Sequence, residues 1–458
     1  MLAASASAAR EGKVFQGELQ YDQYYYLASA RELFERGNGF AYPNPYDDDP
    51  GAPVLYSHLY PLLVGWISHA TGLSVLHAGY LVRLLAGAAL AISLWRLVGV
   101  FLPEARERRA AFWILLLSGG LVWLEALRRL LVGGGPWTIE GIGRTFAESD
   151  IQGGWWLQNV FRNFFYGTET VYHALAFRLL YALAAGRDTQ ACATLLLLLY
   201  AHPFTGLQFA TITLVWLATE RLDGRRGLPL APLCVSCAGI GAFLLYNLVW
   251  LPRFPSHAEI VERWRRVGLY SDPLPFLRVY APWIFLFLAG IPAAKAPGPA
   301  RPAWRLLLVA FAVTALLMNH HWILGKERPF QPLHFSHGYL FVPIVLLTLG
   351  WALRTRGIGG ALRRGPALAA LLPLLAIDNV LFLPVAHALA KGMALPAPQA
   401  RALDRIVAMR PEQTVLSSQR FLSYFLPTFS PHHVILGHRH LTPKLEERQA
   451  AIAAAIER

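Results

Sequence analysis

Apolar runs of about 20 residues recur along this chain, and nothing else in it restricts the fold so severely. At the 1.5 Å rise of an α-helix, a run of that length matches the roughly 30 Å hydrocarbon core of a bilayer. In hydrocarbon each backbone N–H and C=O must be satisfied within its own segment, so such runs fold as helices. Hydrophobic residues make up 55% of the chain and charged ones 15%, against about a quarter charged in a soluble domain. The sequence predicts an all-α polytopic membrane protein. Runs fall at roughly 76–102, 110–132, 166–186, 190–218, 229–250, 278–294, 303–319, 338–353 and 366–389. Residues 55–72 (LYSHLYPLLVGWISHATG) carry two histidines and a proline, and read as a membrane-surface or partly inserted helix. The total expected is about 9–11 transmembrane segments.

Short basic loops at PEARERR (103–109), ERLDGRRG (220–227), KAPGPARPAWR (295–305) and RTRGIGGALRRG (354–365) fix the orientation. If all four are cytoplasmic, as the positive-inside rule asks, then 133–165, 251–277, 320–337 and the tail from 390 are external. That alternation requires 190–218 to enter and leave on one side. AHPFTG supplies the break: Pro203 interrupts the helical ladder and Gly206 permits a turn, so a hairpin of two short half-helices is expected. The organisation that follows is a first external loop over 1–54 with an amphipathic helix, a transmembrane domain over 55–390, and an external tail over 391–458. In the tail TVLSS and HHVILG read as short strands and KLEERQAAIAAAIER as a helix, which makes a small α/β element. The stretch MLAASASAAREGKVFQGELQ has no apolar core, so it reads as neither signal peptide nor span, and insertion is expected to rely on another segment.

The net charge of +13 is carried mostly by short inter-span loops, and no basic domain or arginine-rich tail points to nucleic acid. Cys192, Cys234 and Cys237 all lie in apolar segments, so Cys234-x-x-Cys237 reads as small packing residues rather than a redox or zinc pair.

The ionisable groups with chemical potential gather in the expected external segments. Asp22 stands near the start of QYDQYYYLASARELFERGN (20–38), which reads as a helix whose Leu27, Ala30, Leu33 and Phe34 form an apolar stripe and which Gly37-Asn38-Gly39 closes. An aspartate there is an ordinary N-cap, or a catalytic base near the membrane surface, with Tyr25, Tyr26 and His58 beside it. Asp47, Asp48 and Asp49 read as a solvated turn; a divalent metal is left open, without the spacing of a calcium loop. Trp155 and Trp156 suit a headgroup anchor or a sugar-stacking face. Glu169 and His173, four apart at the mouth of a span, share a helix face and mark either an interfacial pair or a site. Arg253, Arg263, Arg265, Arg266 and Arg278 form an external basic cluster against the positive-inside trend, and arginine forks match phosphate. HHWILGKERPFQPLHFSHGYL places Lys326, Arg328, Gln331 and His334 between two spans, as the lining of a cavity and further phosphate partners. His432, His433, His438 and His440 lack the companion spacing of a zinc site.

Taken together, the acidic residue followed by tyrosines (Asp22, Tyr24–Tyr26), the Asn-Pro-Tyr at 44–46, the Tyr-x-x-x-Tyr-Pro-Leu at 56–62 and the many spans resemble the GT-C superfamily of polytopic glycosyltransferases, in particular its bacterial protein-mannosyltransferase-like members. VILGHRHLTPKLEER also resembles a Gly-His-x-x-x-Thr-Pro stretch in the tails of such proteins. The resemblance implies a GT-C-like fold in a bacterial cytoplasmic membrane with its long loops outside. It also implies an inverting transfer of sugar from a polyprenyl-phosphate-linked donor to an acceptor the sequence does not name. Asp22 would then be the base toward the acceptor, and the arginines and Lys326 the phosphate handlers. Membrane lipid is the other partner expected, and no cofactor is implied. The reading from another class is a non-catalytic polytopic protein, a lipid or solute transporter or flippase, or an inactive scaffold of the same architecture.

Overall fold

The structure is a computed structural model. It describes residues 2–117, 121–149, 166–222, 229–267, 283–288, 301–325, 331–335, 339–354, 366–409, 413–417 and 419–456, with single positions between these stretches. The chain is mostly helical, and its few strands are two or three residues long. Among the described residues three helices are long and apolar enough to cross a membrane: Val75–Phe101, Leu230–Arg253 and Pro373–Gly392. Ala105–Leu117 and Val122–Gly133, bent by 47°, would make a fourth if counted as one span. Asp188–Ala201, Ala303–Met318 and Phe341–Leu353 are apolar but shorter than a span, and the expected run 278–294 lies partly outside the described residues.

The helical core is built on the helix Val75–Phe101, against which the helix Gly167–Ala184 packs along its length. Leu90, Leu94, Leu97, Phe177, Leu179 and Leu183 are fully buried between them. Some polar groups in this core find partners far away in the sequence. Asp378 accepts the N–H groups of Val122 and Trp123 at 3.1 and 2.8 Å, which satisfies two of the donors that a helix start leaves open.

The expected break at AHPFTG is present. One helix ends at Ala201, His202 is extended, and the next helix begins at Pro203, where a missing N–H costs nothing. The second helix runs 20 residues to Leu222 and is no half-helix. Near the end of Leu230–Arg253 the helix widens into a π-turn over Leu245–Trp250, which turns Tyr246 and Asn247 inward. Cys234 and Cys237 are exposed on that helix and free, not packed inside the protein. Parts of the expected external loops are themselves helical, over Ile139–Ser149 and Pro255–Val267.

The tail matches its expected elements. Thr414–Val415 pairs in parallel with His433–Val434 across the helix Arg420–Phe429, and Leu445–Ile456 is helical. It does not stand alone, however. Lys13–Phe15 pairs antiparallel with Ala394–Pro396, and Tyr24, Tyr25 and Tyr46 share one buried core with Leu403, Tyr424, Phe425 and Leu426. Tyr24 and Tyr25, after Asp22, supply ring surface on which the tail folds. Asp47 and Asp48, expected in a solvated turn, are bound by Arg448 at 3.1 and 2.6 Å. Arg448 also donates to the carbonyls of Tyr46 and Ile435, which ties the first segment to the last.

Candidate active site around Asp22

The helix Tyr21–Phe34 is closed by Gly39, whose N–H meets the Leu33 carbonyl at 2.8 Å with φ at +78°. Gln20, not Asp22, holds the N-cap position, and no side chain caps this helix start. Asp22 lies inside the first turn, so its carboxylate is released from the capping expected of it. At 100° per residue, positions 22, 25 and 26 share a face, and all three line one cavity.

Two chambers meet at this face. The first, of about 340 Å³, is walled by Tyr25, Tyr56, Phe204, Phe243, Tyr246, Asn247, His257 and Gln331. The second, of about 430 Å³, is walled by Gln20, Tyr21, Thr168, Glu169, Tyr172, Met393 and His440. Asp22, Tyr26, His58, His202, Trp264 and His334 belong to both. Among the described residues lining either chamber there is no lysine or arginine.

Asp22 is held on one side. His438 Nε2 lies 3.0 Å from Oδ1, an approach between residues 416 positions apart. His438 Nδ1 accepts the N–H of His440 at 3.1 Å, so the imidazole proton sits on Nε2 and is donated to the carboxylate. Among the described residues Oδ2 has no protein hydrogen-bond partner, and the side chain is 45% exposed. Around it the ionisable groups are tuned toward neutrality. Burial pushes the His58 and His257 imidazoles down to about 4. Burial, then the charges of His438 and Arg439, bring His440 to about 4 against a counter-pull from Asp22. Burial raises the Tyr25 phenol to about 12, and burial with the Asp22 charge raises Tyr26 further. The tyrosines are therefore donors near neutral pH, and Asp22 and Glu169 are the carboxylates that line the chambers beside them.

The sequence-derived residues divide. Asp22, Tyr25, Tyr26, His58, Glu169, Gln331 and His334 come together on the chambers. His173 does not; it is buried one turn below Glu169 beside Tyr172 and Tyr339. Arg263 is directed elsewhere: it pairs with Glu259 at 2.8 Å and donates to the His440 carbonyl at 3.4 Å, so it braces the tail. Arg266 is exposed, 3.9 Å from Glu262, and also off the chambers. Trp155, Trp156, Lys326 and Arg328 lie outside the described residues. Among the described residues no group of three or more His, Cys, Asp or Glu is placed to hold a metal ion. His432 and His433 are bonded to the Ile406 carbonyl and to Arg36.

Sequence reasoning passed over several lining residues. Trp264 sits among the arginines that drew attention, and faces His440 at 5.0 Å. His202 was visible only as part of a helix break; its Nδ1 accepts the Thr205 N–H at 3.3 Å and caps the helix that follows. His438 is not among the lining residues of either chamber and reaches the site through Asp22. Comparison with family models and with curated proteins finds no match for this chain.

Proposed function

We propose that this protein is a GT-C-like glycosyltransferase of the bacterial cytoplasmic membrane. In this reading nine or more of its helical segments lie in the bilayer, and it moves a sugar from a polyprenyl-phosphate-linked donor to an extracytoplasmic acceptor. The observation that carries the reading is the half-tethered carboxylate of Asp22 at the junction of two chambers. A transferase of this kind must bring two substrates to one base, and two chambers sharing one carboxylate meet that need. The acceptor hydroxyl gives its proton to Asp22 Oδ2 while its oxygen bonds to the anomeric carbon from the face opposite the leaving group. The bond from that carbon to the phosphate oxygen breaks, and its electron pair departs on the lipid phosphate. The first chamber's aliphatic and aromatic wall (Phe204, Phe243, Leu248, Leu251) is compatible with a lipid-borne substrate. The carriers of a phosphate clamp in this reading are Lys326 and Arg328, since Arg263 is engaged with the tail.

The test is Asp22→Asn, assayed in proteoliposomes with radiolabelled polyprenyl-phosphate mannose and polyprenyl-phosphate glucose. Removing a general base lowers transfer by about 100-fold or more. Unchanged transfer by the variant rules Asp22 out, and solute flux without any glycosyl transfer by the wild type favours the transporter reading.

A further inference from the structure

We infer that His438 is the positioning residue of this site, and that the C-terminal segment thereby completes it. The inference rests on the transferase reading above, because it concerns how the proposed base is held.

Four observations meet at this side chain. First, His438 is 1% exposed and its Nε2–H is spent on Asp22 Oδ1, so one carboxylate oxygen is fixed and the other left to the chambers. Second, the His440 N–H occupies Nδ1, and a proton there would set donor against donor. The Nδ1 lone pair is thus taken by the His440 N–H, and the Nε2–H is left to hold the carboxylate. Third, the ring is boxed by Tyr21 at 4.7 Å, Tyr424 at 5.5 Å, Tyr46 at 6.0 Å and Tyr25 at 6.3 Å, and two of these flank Asp22 on its own helix. Fourth, the loop bearing it is braced from three directions. Thr442 Oγ1 accepts the Gly437 N–H at 3.1 Å and donates to the His438 carbonyl at 2.8 Å. Asn44 donates to the Leu441 carbonyl. Glu259 accepts the Lys444 N–H at 2.8 Å while Arg263 donates to the His440 carbonyl.

A histidine retained only to fill the tail core would need no carboxylate partner, and any group of its volume would serve. The bracing here instead converges on one bond. Gly437, His438 and Thr442 each have a part in aiming the ring. Asn44 and Tyr46, from Asn-Pro-Tyr, hold the same loop from the other side.

The experiment compares His438→Gln, His438→Asn and His438→Leu with Asp22→Asn under the donor assay described above, each checked for folding by its thermal midpoint in detergent. Glutamine places an amide N–H near the position of Nε2; asparagine has equal polarity but falls short, and leucine removes the donor. We expect His438→Gln to keep kcat within about threefold of wild type, and Asn and Leu to lose about 100-fold in kcat with donor KM nearly unchanged. Wild-type turnover by His438→Leu, or equal losses by the Gln and Asn variants, overturns the inference while an inactive Asp22→Asn still upholds the base. Full activity of Asp22→Asn removes the base itself. Should His438→Leu fail to fold, the contrast between Gln and Asn decides the matter alone.

Discussion

Gly437→Ala is a one-methyl test of how the tail reaches the site. A Cβ at this position would stand 2.0 Å from Tyr46 Cδ1, 2.6 Å from Cε1 and 2.8 Å from Cγ. Carbon atoms rest about 3.5 Å apart, so the ring or the loop must yield by roughly 1.5 Å. Tyr46 has no room to yield. It is fully buried, stacked on Tyr424 at 5.6 Å, and its hydroxyl bonds to the Tyr424 carbonyl at 3.3 Å. Replacing a glycine stiffens the unfolded chain and stabilises by about 0.4–1 kcal/mol where space allows. Overpacking a filled core costs about 1–3 kcal/mol, and contact with the body of a ring places this case at the upper end. The loss exceeds the gain, and the variant should be less stable by about 2 kcal/mol. The position also precedes His438, and a shift of about 1.5 Å is enough to break a 3.0 Å hydrogen bond to Asp22. Chemical denaturation in detergent and glycosyl transfer are measured on the same preparations, with Gly392→Ala, where no atom lies within 4 Å, as the control. Wild-type stability together with wild-type turnover in Gly437→Ala would refute the packing argument and the bond it protects.

Asn44→Ala removes the donor to the Leu441 carbonyl and the acceptor for the Tyr46 N–H at 3.1 Å. Leaving two largely buried groups unsatisfied costs about 2–4 kcal/mol, so limited proteolysis should cut the tail sooner than in wild type; an unchanged pattern refutes the prediction. His58 gives a pH test. Its folded-state value, pushed down to about 4, lies below the ordinary 6.5, so between those values the unfolded chain binds more protons. Its contribution is therefore fully present above about pH 6.5 and lost as pH falls toward 4. The stability difference between wild type and His58→Gln should shrink over that window; a difference independent of pH would count against it. The comparison isolates His58 from Glu32, which burial raises to about 7 and which acts in the opposite direction.

The local features of this protein were written in its sequence, because they depend on neighbours a few residues apart. The helix Tyr21–Phe34 with its glycine stop, the break at Pro203 and the two short strands of the tail are of this kind. So is the gathering of Asp22, Tyr25 and Tyr26 on one helix face, which follows from the helical period. Partners were a different matter. Nothing in YDQYYY distinguishes rings for an interface from rings for a core until Tyr424 and Phe425 pack on them from 400 residues away. The arginines of the 251–278 stretch had the right charge for phosphate, but a guanidinium takes whichever acceptors its fold supplies, and Arg263 was given Glu259 and the His440 carbonyl. Asp22 itself is the sharpest case. Sequence alone determined that a carboxylate stands at the first turn of this helix. The tertiary structure decided that it is not a cap, that His438 holds one of its oxygens, and that the other faces two chambers. A hydrogen bond between side chains needs two groups brought within 3 Å, and for residues 416 apart only the folded chain sets that distance.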